Sequence, residues 1–271
     1  HERCDEFRRL DAGGWAELLR ERLRRAVRRR AVADVPVGVL LSGGLDSSMI
    51  VALLAEQGGS DLRTFSVGFP STAGECGDEF GYSALVAREF GSDHQQIGIE
   101  ADRLPSAVDA AVAAMSEPMA SHDCVGFHLL AEQVSRSVTV VQSGQGADEV
   151  LAGYNWYPPL ARVPRRDAAT TYARGFADRE HAGMAELLEP GWLLDHDPSR
   201  ALVAAHFAAP GAERALDAAL RIDTTVMLVD DPVKRVDNMT MAWGVEARVP
   251  YLDHELVEAC LLYTSDAADE R

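Results

Sequence analysis

Cysteine, lysine and long apolar segments are scarce in this sequence. The four cysteines, Cys4, Cys76, Cys124 and Cys260, lie far apart and show neither the paired spacing of a zinc site nor that of a disulfide framework. No apolar run is as long as a membrane-spanning helix, and the first residues, HERCDEF, lack the apolar core of a signal peptide. These absences predict free thiols and a soluble protein of the reducing cytoplasm.

Basic residues are also few. The 26 lysines and arginines stand against 43 aspartates and glutamates, and the formal net charge is −17. Such a surface repels nucleic acid and anionic membranes, so we expect neither as a partner and expect phosphate groups to be bound only locally. With 271 residues and a hydrophobic content of 47%, the chain is long enough to bury one large core or two small ones.

A strand, a glycine turn and a helix follow one another early in the chain. Residues 37–41 (VGVLL) have strand character, residues 42–44 (SGG) interrupt them, and helical spacing of apolar residues begins near Ser47. Turned backbone N–H groups and the positive end of a helix dipole favour an anion. The stretch matches neither GxxxxGK[ST] nor GxGxxG, and Asp46 adds a carboxylate. This combination indicates phosphate groups bridged by Mg²⁺, whereas an ordinary glycine turn would explain the glycines alone.

The alternation of strand and helix patterns predicts the fold. Strands are predicted at residues 37–41, 62–69, 94–99 and 138–142, and helices at residues 15–30, 47–54, 79–90, 101–115 and 127–135. This spacing predicts an α/β fold with a parallel sheet, helices on both faces, a helical C-terminal part and ligands at the carboxyl ends of the strands. Trp156 and Trp192, in an irregular helical region, are expected in a core, and the arginine-rich face of the first helix is expected to be solvated.

A second glycine loop follows the fourth predicted strand. It has the sequence SGQGADE and contains Gln145, Asp148 and Glu149. We expect this loop to face the first one across the carboxyl edge of the sheet, with Asp148, and Glu149 beside it, near the metal held by Asp46. Taken by itself, the loop is also explained as a glycine turn whose acids face solvent.

Three ordered motifs carry a resemblance to a known family. SGGLDSS resembles the PP-loop of the ATP pyrophosphatases. Together with SGQGADEVLAGY and DNMTMAWGVEARVPYLD it resembles the synthetase domain of the glutamine-dependent asparagine synthetase family, over about residues 35–258. The resemblance implies a PP-loop fold and a ligase that adenylates a carboxylate with ATP, releases pyrophosphate and forms an amide with ammonia, normally derived from glutamine. ATP and Mg²⁺ are the implied cofactors.

The resemblance also implies roles for individual residues. Pyrophosphate and Mg²⁺ would be held by Ser42, Gly43, Gly44, Asp46 and Ser47, and the adenosine pocket would be lined by Leu41, Val67, Ser143 and Gly144. Asp148 would be the second metal contact and a catalytic candidate, and Tyr154, Arg235 and Asp237 are candidates for the substrate side. Gln145, Lys234 and again Arg235 are the other catalytic candidates, but the family uses a lysine further downstream, and Lys234 is not assumed to replace it. Lys234 is the only lysine of the chain, an observation that fits chance as well as function.

Gln145 bears on the substrate. Asparagine synthetases usually have glutamate at this position, in SGEGADE. The neutral residue, together with VDDPVKRVDNMTMAWG and GYNWYPP, resembles the branch that amidates the dipeptide N-acetylglutaminylglutamine. We therefore expect this dipeptide as the substrate, with aspartate as the alternative.

The resemblance divides the chain into three parts. Residues 1–34 are expected to be a helical lead-in at the end of a linker from a missing glutaminase domain, and residues 35–258 a C-terminally truncated synthetase domain. Residues 259–271 are expected to be a non-native tail, because their sequence resembles a translated sequencing adapter. The expected partners are a small carboxylate, ammonia and the glutaminase domain, and a homodimer is left open.

Two other functional classes are left open. A PP-loop enzyme that modifies tRNA would need a basic surface for RNA, and the charge of −17 opposes it. A non-catalytic nucleotide-binding module is opposed by the presence of both Asp46 and Asp148.

Overall fold

The computed structural model of the protein describes residues 10–58, 61–69, 80–119 and 121–266. The chain divides into two units: the first extends to Ala147 and resumes at Val229, and the second comprises Asp148–Leu228. Cys124 and Cys260 are buried free thiols, and burial raises the pKa of Cys260 to about 12. The predictions for Cys4, Cys76 and residues 267–271 lie outside the described residues.

The first unit is built on a sheet of five strands that pair in parallel, in the order β3-β2-β1-β4-β5. The strands are β1 (Val37–Leu40), β2 (Arg63–Gly68), β3 (Asp93–Gly98), β4 (Val140–Gln142) and β5 (Glu246–Arg248). In the centre of the sheet Val39 lies opposite Thr64 on one side and Gln142 on the other. The prediction of a parallel α/β sheet is confirmed, whereas β5 was missed because only three residues, EAR, carry it.

The α-helices complete both units. In chain order they are α1 (Ala12–Arg30), α2 (Leu45–Glu56), α3 (Phe80–Phe90), α4 (Arg103–Ala114), α5 (Asp123–Val134), α6 (Ala147–Leu151), α7 (Tyr157–Leu160), α8 (Ala168–Phe176), α9 (Pro198–Ala208), α10 (Ala215–Ile222), α11 (Lys234–Met241) and α12 (His254–Asp266). Helices α1 to α5, α11 and α12 belong to the first unit.

Alternation along β2 explains why helices cover both faces of the sheet. Phe65 belongs to an apolar cluster with Leu130 and Val134 of α5. Successive residues of a strand point to opposite faces, so Thr64 and Ser66, which are also buried, face the other side. One face of this strand therefore carries the apolar Phe65, and the other face carries the small polar residues Thr64 and Ser66.

Helix α1 is an integral part of the first unit. The side chain of Asp11 caps its first turn by accepting from the N–H of Gly14 at 2.8 Å, and Trp15, Leu23 and Val27 are buried. The side chain of Gln142 in β4 donates to the carbonyl of Val27 at 3.1 Å. Helix α1 thus contacts the sheet directly, through β4.

The arginine face of α1, predicted to be solvated, also forms ion pairs, and Arg29 is both exposed and paired. Glu255 pairs with Arg22 at 2.5 Å, Arg25 at 2.9 Å and Arg29 at 2.5 Å. Arg30 pairs with the buried Asp253 at 2.8 Å. The arginines therefore fasten α1 to the start of α12.

The second unit has a core rich in aromatic residues and alanine. Its buried members are Tyr157, Leu160, Ala168, Tyr172, Phe207, Ala212, Ala215, Ala218, Ala219, Leu220 and Ile222. A π-helical segment, Asp223–Met227, continues α10. Trp156 packs against this core as predicted, but Trp192 is 79% exposed, so its predicted core role was wrong.

Helix α12 includes part of the expected tail. It continues to Asp266, and Ala259 and Cys260 are buried. Whether these residues are native stays a prediction, because burial of two side chains does not report their origin. In the part of the chain that the structure describes, no helix is both long and apolar enough to cross a membrane.

Candidate functional site

The first glycine loop leaves the carboxyl end of β1 and enters α2. Leu41 is buried at the strand end, and Gly43 has φ +90°, a backbone conformation that favours glycine. Ser42 Oγ lies 3.1 Å from Ser47 Oγ and accepts from the N–H of Gly44 at 3.2 Å, so hydroxyl groups fix the shape of the loop. Gly44 caps α2 without a side chain, which leaves the first-turn N–H groups of the helix directed towards the loop.

The second glycine loop contacts the first. A Cβ atom added to Gly144 would lie 3.2 Å from the backbone N of Ser47 and 3.3 Å from Cβ of Asp46. Both loops follow neighbouring parallel strands, β1 and β4, so their contact lies at the carboxyl edge of the sheet. The structure therefore places Ser143 and Gly144 beside the first glycine loop.

The segment after β5 supports both loops from a third side. Ser143 donates its N–H to the carbonyl of Arg248 at 2.9 Å, and Tyr251 donates its hydroxyl to the carbonyl of Asp46 at 3.1 Å. Burial raises the pKa of Tyr251, so this phenol stays a hydrogen-bond donor. Sequence reasoning missed this support, although the segment belongs to the third family-like motif.

Helix α3 is a further neighbour that sequence reasoning missed. A Cβ atom added to Gly43 would lie 2.5 Å from the backbone N of Ser83 and 2.6 Å from Cβ of Tyr82. Real Cβ atoms essentially never lie this close to a non-bonded atom, so the first turn of α3 lies directly against the loop. Val67, predicted for the adenosine pocket, is partly buried near the end of the adjacent strand β2.

Gln145 and Asp148 follow Gly144 in the chain. Gln145 is half-buried in the second loop, and Asp148 begins the second unit in the first turn of α6. Burial raises the pKa of Asp148, which makes its charged form costly without a cation. The predicted pairing of Asp46 with Asp148 as metal contacts stays a prediction.

Tyr154 and Glu149 form a buried pair in the second unit. The hydroxyl of Tyr154 donates to Glu149 at 2.8 Å, and its ring stacks on Trp156 with 4.1 Å between centroids. Glu149 is 1% exposed, and burial raises its pKa although the bond from Tyr154 works in the opposite direction. The prediction that places Tyr154 on the substrate side stays open, with its hydroxyl engaged by Glu149.

Lys234, Arg235 and Asp237 lie together on α11. Lys234 pairs with Glu117 and, at 3.2 Å, with Asp230. Arg235 is buried and its Nη1 atom lies 2.8 Å from the hydroxyl of Ser121. Arg235 Nη1 also pairs with Asp231 at 3.0 Å and with Asp123 at 3.3 Å. Both basic residues therefore have carboxylate partners, which is sufficient to explain them structurally.

A cavity of about 410 Å³ opens beside α11 and β5. Its lining residues are Ser116, Val229, Val233, Lys234, Val236, Asp237, Asn238, Ala247 and Val249. Val249 directly follows Arg248, whose carbonyl binds the second glycine loop. Asp237 is exposed, and Asn238 donates to the hydroxyl of Ser116 at 3.0 Å.

These features define a class of protein. The first unit is a parallel α/β domain with a glycine loop after β1 and a second glycine loop against it, which is the arrangement that the PP-loop resemblance predicts. The chain belongs to the asparagine synthase family, because the family model described as "Asparagine synthase" matches residues 18–263. The family recognised from the three motifs is thereby confirmed.

Curated relatives agree with the family match. Asparagine synthetase [glutamine-hydrolyzing] 1 of Bacillus subtilis is 28% identical over 257 residues, which cover 82% of this chain and 39% of the relative. The putative asparagine synthetase [glutamine-hydrolyzing] of Mycobacterium bovis is 30% identical over 265 residues, 85% of this chain and 40% of the relative. The chain thus spans about two fifths of the length of these relatives.

A similarity to solved structures is weaker. The U34-tRNA thiolase NcsA of Methanococcus maripaludis is 16% identical and matches with a TM-score of 0.38, over 84% of this chain and 79% of its own. At this level the likeness supports no functional argument.

Proposed function

We propose that this chain is the synthetase part of a ligase that forms an amide at the expense of ATP. The observation that carries the proposal is the contact of the two glycine loops, in which Gly144 lies against Asp46 and Ser47. Membership in the asparagine synthase family supports the reaction type. The names of the relatives, which include "glutamine-hydrolyzing", support glutamine as the source of ammonia in a longer protein.

The proposed reaction has two steps. A substrate carboxylate oxygen attacks the α-phosphorus of ATP, the bond from that phosphorus to the bridging oxygen breaks, and pyrophosphate leaves with the electron pair. Ammonia then attacks the acyl carbon, AMP leaves, and the nitrogen loses a proton to give the amide. Adenylation is needed because a carboxylate by itself has no good leaving group.

The first loop is the part of the chain that would receive pyrophosphate. The hydroxyls of Ser42 and Ser47 and the N–H groups at the start of α2 can donate to phosphate oxygens. Because these donors are held in place before the reaction, they stabilise the charge that develops on the leaving pyrophosphate. Catalysis would depend mainly on position and charge rather than on an acid or a base.

The residues present fit Mg²⁺ bound together with phosphate. Asp46 provides a carboxylate oxygen, the ligand type that Mg²⁺ prefers, in the first turn of α2. Mg²⁺ bound with a nucleotide usually takes one or two carboxylates from the protein and its other ligands from phosphate and water. Asp46 would hold the ion, with Asp148 as the second proposed contact, and bound Mg²⁺ would neutralise charge on the leaving group.

We further propose the acetylated dipeptide N-acetylglutaminylglutamine as the favoured substrate, with aspartate as the alternative. Gln145 puts a neutral amide in the second loop. Aspartate carries a free ammonium group that a carboxylate would bind well, whereas the acetylated dipeptide has no such charge. A neutral side chain in the loop therefore favours the dipeptide.

The proposal is tested by pyrophosphate release from ATP in the presence of ammonium and one of the two substrates. We expect the dipeptide to give the higher kcat/KM, and Asp46→Asn to reduce kcat/KM by about 100-fold or more, the size seen when one electrostatic contact to a transition state is lost. Asp109→Asn, an exposed acid on α4, is the matched control and should match the wild type. Preference for aspartate would overturn the substrate proposal, and an active Asp46→Asn variant would overturn the site.

A further inference from the structure

A cluster of polar side chains lies behind the first glycine loop, between the sheet and α3. Thr64 and Ser83 are fully buried and Ser66 is 4% exposed. His94 of β3 joins them: its Nδ1 atom lies 2.9 Å from Thr64 Oγ1, and its Nε2 atom lies 3.3 Å from both Ser66 Oγ and Ser83 Oγ. Buried hydroxyl groups need partners, and here one imidazole provides a partner for three of them.

The neighbouring hydrogen bonds indicate which atom donates and which accepts in each contact of His94. Ser83 donates its hydroxyl proton to the carbonyl of Phe80 at 3.2 Å, so its oxygen accepts from Nε2–H of His94. Nδ1 is then the acceptor for the hydroxyl of Thr64. Burial lowers the pKa of His94, which favours this neutral form with one donor and one acceptor nitrogen.

The cluster ends at the backbone that contacts the loop. Ser83 bonds to His94 through its side chain, and the backbone N of the same residue lies against Gly43, where an added Cβ would be 2.5 Å away. The connection therefore runs from β2 through His94 and Ser83 to Gly43. Thr64 lies on β2, His94 on β3, Ser83 on α3 and Gly43 in the loop itself.

We propose that His94 is a positioning residue for the first glycine loop: by binding Ser83 it holds the first turn of α3 against Gly43 and so keeps the loop in the shape that receives pyrophosphate. This inference rests on the proposed function of the loop. His94 does not touch the reacting atoms in this assignment and acts only through α3.

The first test compares ATP binding by variants of the whole chain, measured by calorimetry in the presence of Mg²⁺. His94→Phe keeps a ring of similar size without its nitrogen atoms, and we expect its Kd for ATP to rise about tenfold, the effect of one buried hydrogen bond. His94→Gln retains a side-chain N–H and should restore most of the affinity. Gln95→Ala, the matched control, removes a 3.3 Å hydrogen bond to Ser137 from the same strand and should bind ATP like the wild type.

A double-mutant cycle separates positioning from a general loss of packing. If His94 acts through Ser83, then His94→Phe combined with Ser83→Ala should weaken ATP binding little more than His94→Phe alone. In turnover assays kcat/KM for ATP should fall by about the same tenfold factor, because the disturbed loop binds the phosphate groups both in bound ATP and in the transition state. Independent, additive effects of the two substitutions would contradict the proposal.

Amide hydrogen exchange gives a readout that does not depend on ATP. We expect His94→Phe to speed exchange in peptides covering residues 41–50 and 80–90, with unchanged exchange in α1, and His94→Gln to restore protection. Unchanged exchange in residues 41–50 would overturn the inference, as would equal loosening by Gln95→Ala. Failure of the wild type to bind ATP would instead count against the proposed function, while the exchange result would still decide the role of His94.

Discussion

In the second unit, the buried acid Asp223 has neutral hydrogen-bond donors as its partners. Asp223 is fully buried and accepts from the indole N–H of Trp156 at 3.2 Å and from the hydroxyls of Tyr157, at 2.6 Å, and Tyr172. Burial raises the pKa of Asp223, although each of these hydrogen bonds works in the opposite direction. Desolvation therefore outweighs three donors.

In the first unit, the acids Asp253 and Glu255 pair with arginines of α1. Asp253 is also buried, yet its pKa is lowered: burial by itself would raise it, but the hydrogen bond and charge of Arg30, with the N–H of Glu255, prevail. The pKa of Glu255 is lowered chiefly by its hydrogen bond to Arg29. Asp253 is less deeply buried than Asp223 and has charged partners, and both differences favour its charged form.

The largest expected effect comes from removing the acceptor in the second unit. Asp223→Ala leaves three buried donors without a partner and opens a small cavity, so we expect the free energy of unfolding to fall by about 4 kcal/mol. Urea unfolding measures this loss, and exchange in residues 154–176 should increase most. Asp178→Ala, an exposed acid of the same unit, is the control, and an equal loss in both variants would contradict the assigned role of Asp223.

A smaller loss is expected in the first unit. Asp253→Ala removes the partner of Arg30 and the acceptor for the N–H of Glu255, at 3.1 Å, at the start of α12. The guanidinium groups can be solvated by water once Asp253 is removed. We therefore expect the free energy of unfolding to fall by about 2 kcal/mol, mostly through loss of the helix cap and of the buried ion pair. Glu258→Ala, an exposed acid of the same helix, should change stability little. A loss as large as that of Asp223→Ala would remove the distinction between the units.

The pH dependence of stability should have opposite signs at the two acids. Native Asp223 binds its proton more tightly than the unfolded chain, so its contribution is full below the ordinary pKa of 3.8 and falls as pH rises from there to its raised value. Asp253 contributes above its ordinary pKa of 3.8, and this contribution is lost as pH falls through its lowered value.

Unfolding measured between about pH 3 and pH 7 tests these signs. Relative to the wild type, Asp223→Asn should gain stability as pH rises, and Asp253→Asn should lose it. Curves for the two variants that run parallel would contradict the comparison.

The smallest effect is expected for the exposed side of the arginine group. Glu255→Gln weakens the contacts to Arg22, Arg25 and Arg29, and the resulting loss of stability should shrink further in high salt, because solvent-exposed charges are screened. The loss in Asp223→Ala should not depend on salt in this way. A salt-independent loss in Glu255→Gln would indicate packing rather than charge.

Local sequence patterns were sufficient to predict most strands and both glycine loops of the first unit. The strands β1, β2, β3 and β4 overlap the predicted segments. Strands β1, β2 and β4 are rich in apolar or β-branched residues, whereas β3 (DHQQIG) is largely polar. The two glycine loops were recognisable because both follow strands. Strand β5 was not, because three residues with charged ends carry no periodic signal and pair only through β4.

Contacts between residues far apart in the chain could not be predicted from local sequence patterns. Tyr251 supports Asp46 across 205 positions, and Arg30 pairs with Asp253 across 223 positions. Trp192 was expected in a core from its size, yet it is exposed, whereas the buried acid of the second unit, Asp223, gave no sign of its role. Residue type states what a side chain can bind, but not which partner the fold supplies.

The sequence by itself determined the parallel α/β architecture, the positions of the two glycine loops and the family, because these depend on short periodic runs and on glycines at fixed spacing. The tertiary structure alone decided that Gly144 meets Asp46 and Ser47, that His94 reaches Ser83 behind the loop, and which acids find arginines and which find tyrosines. These outcomes depend on how strands and helices pack, since packing sets both the dielectric surroundings of a charge and the identity of its neighbours.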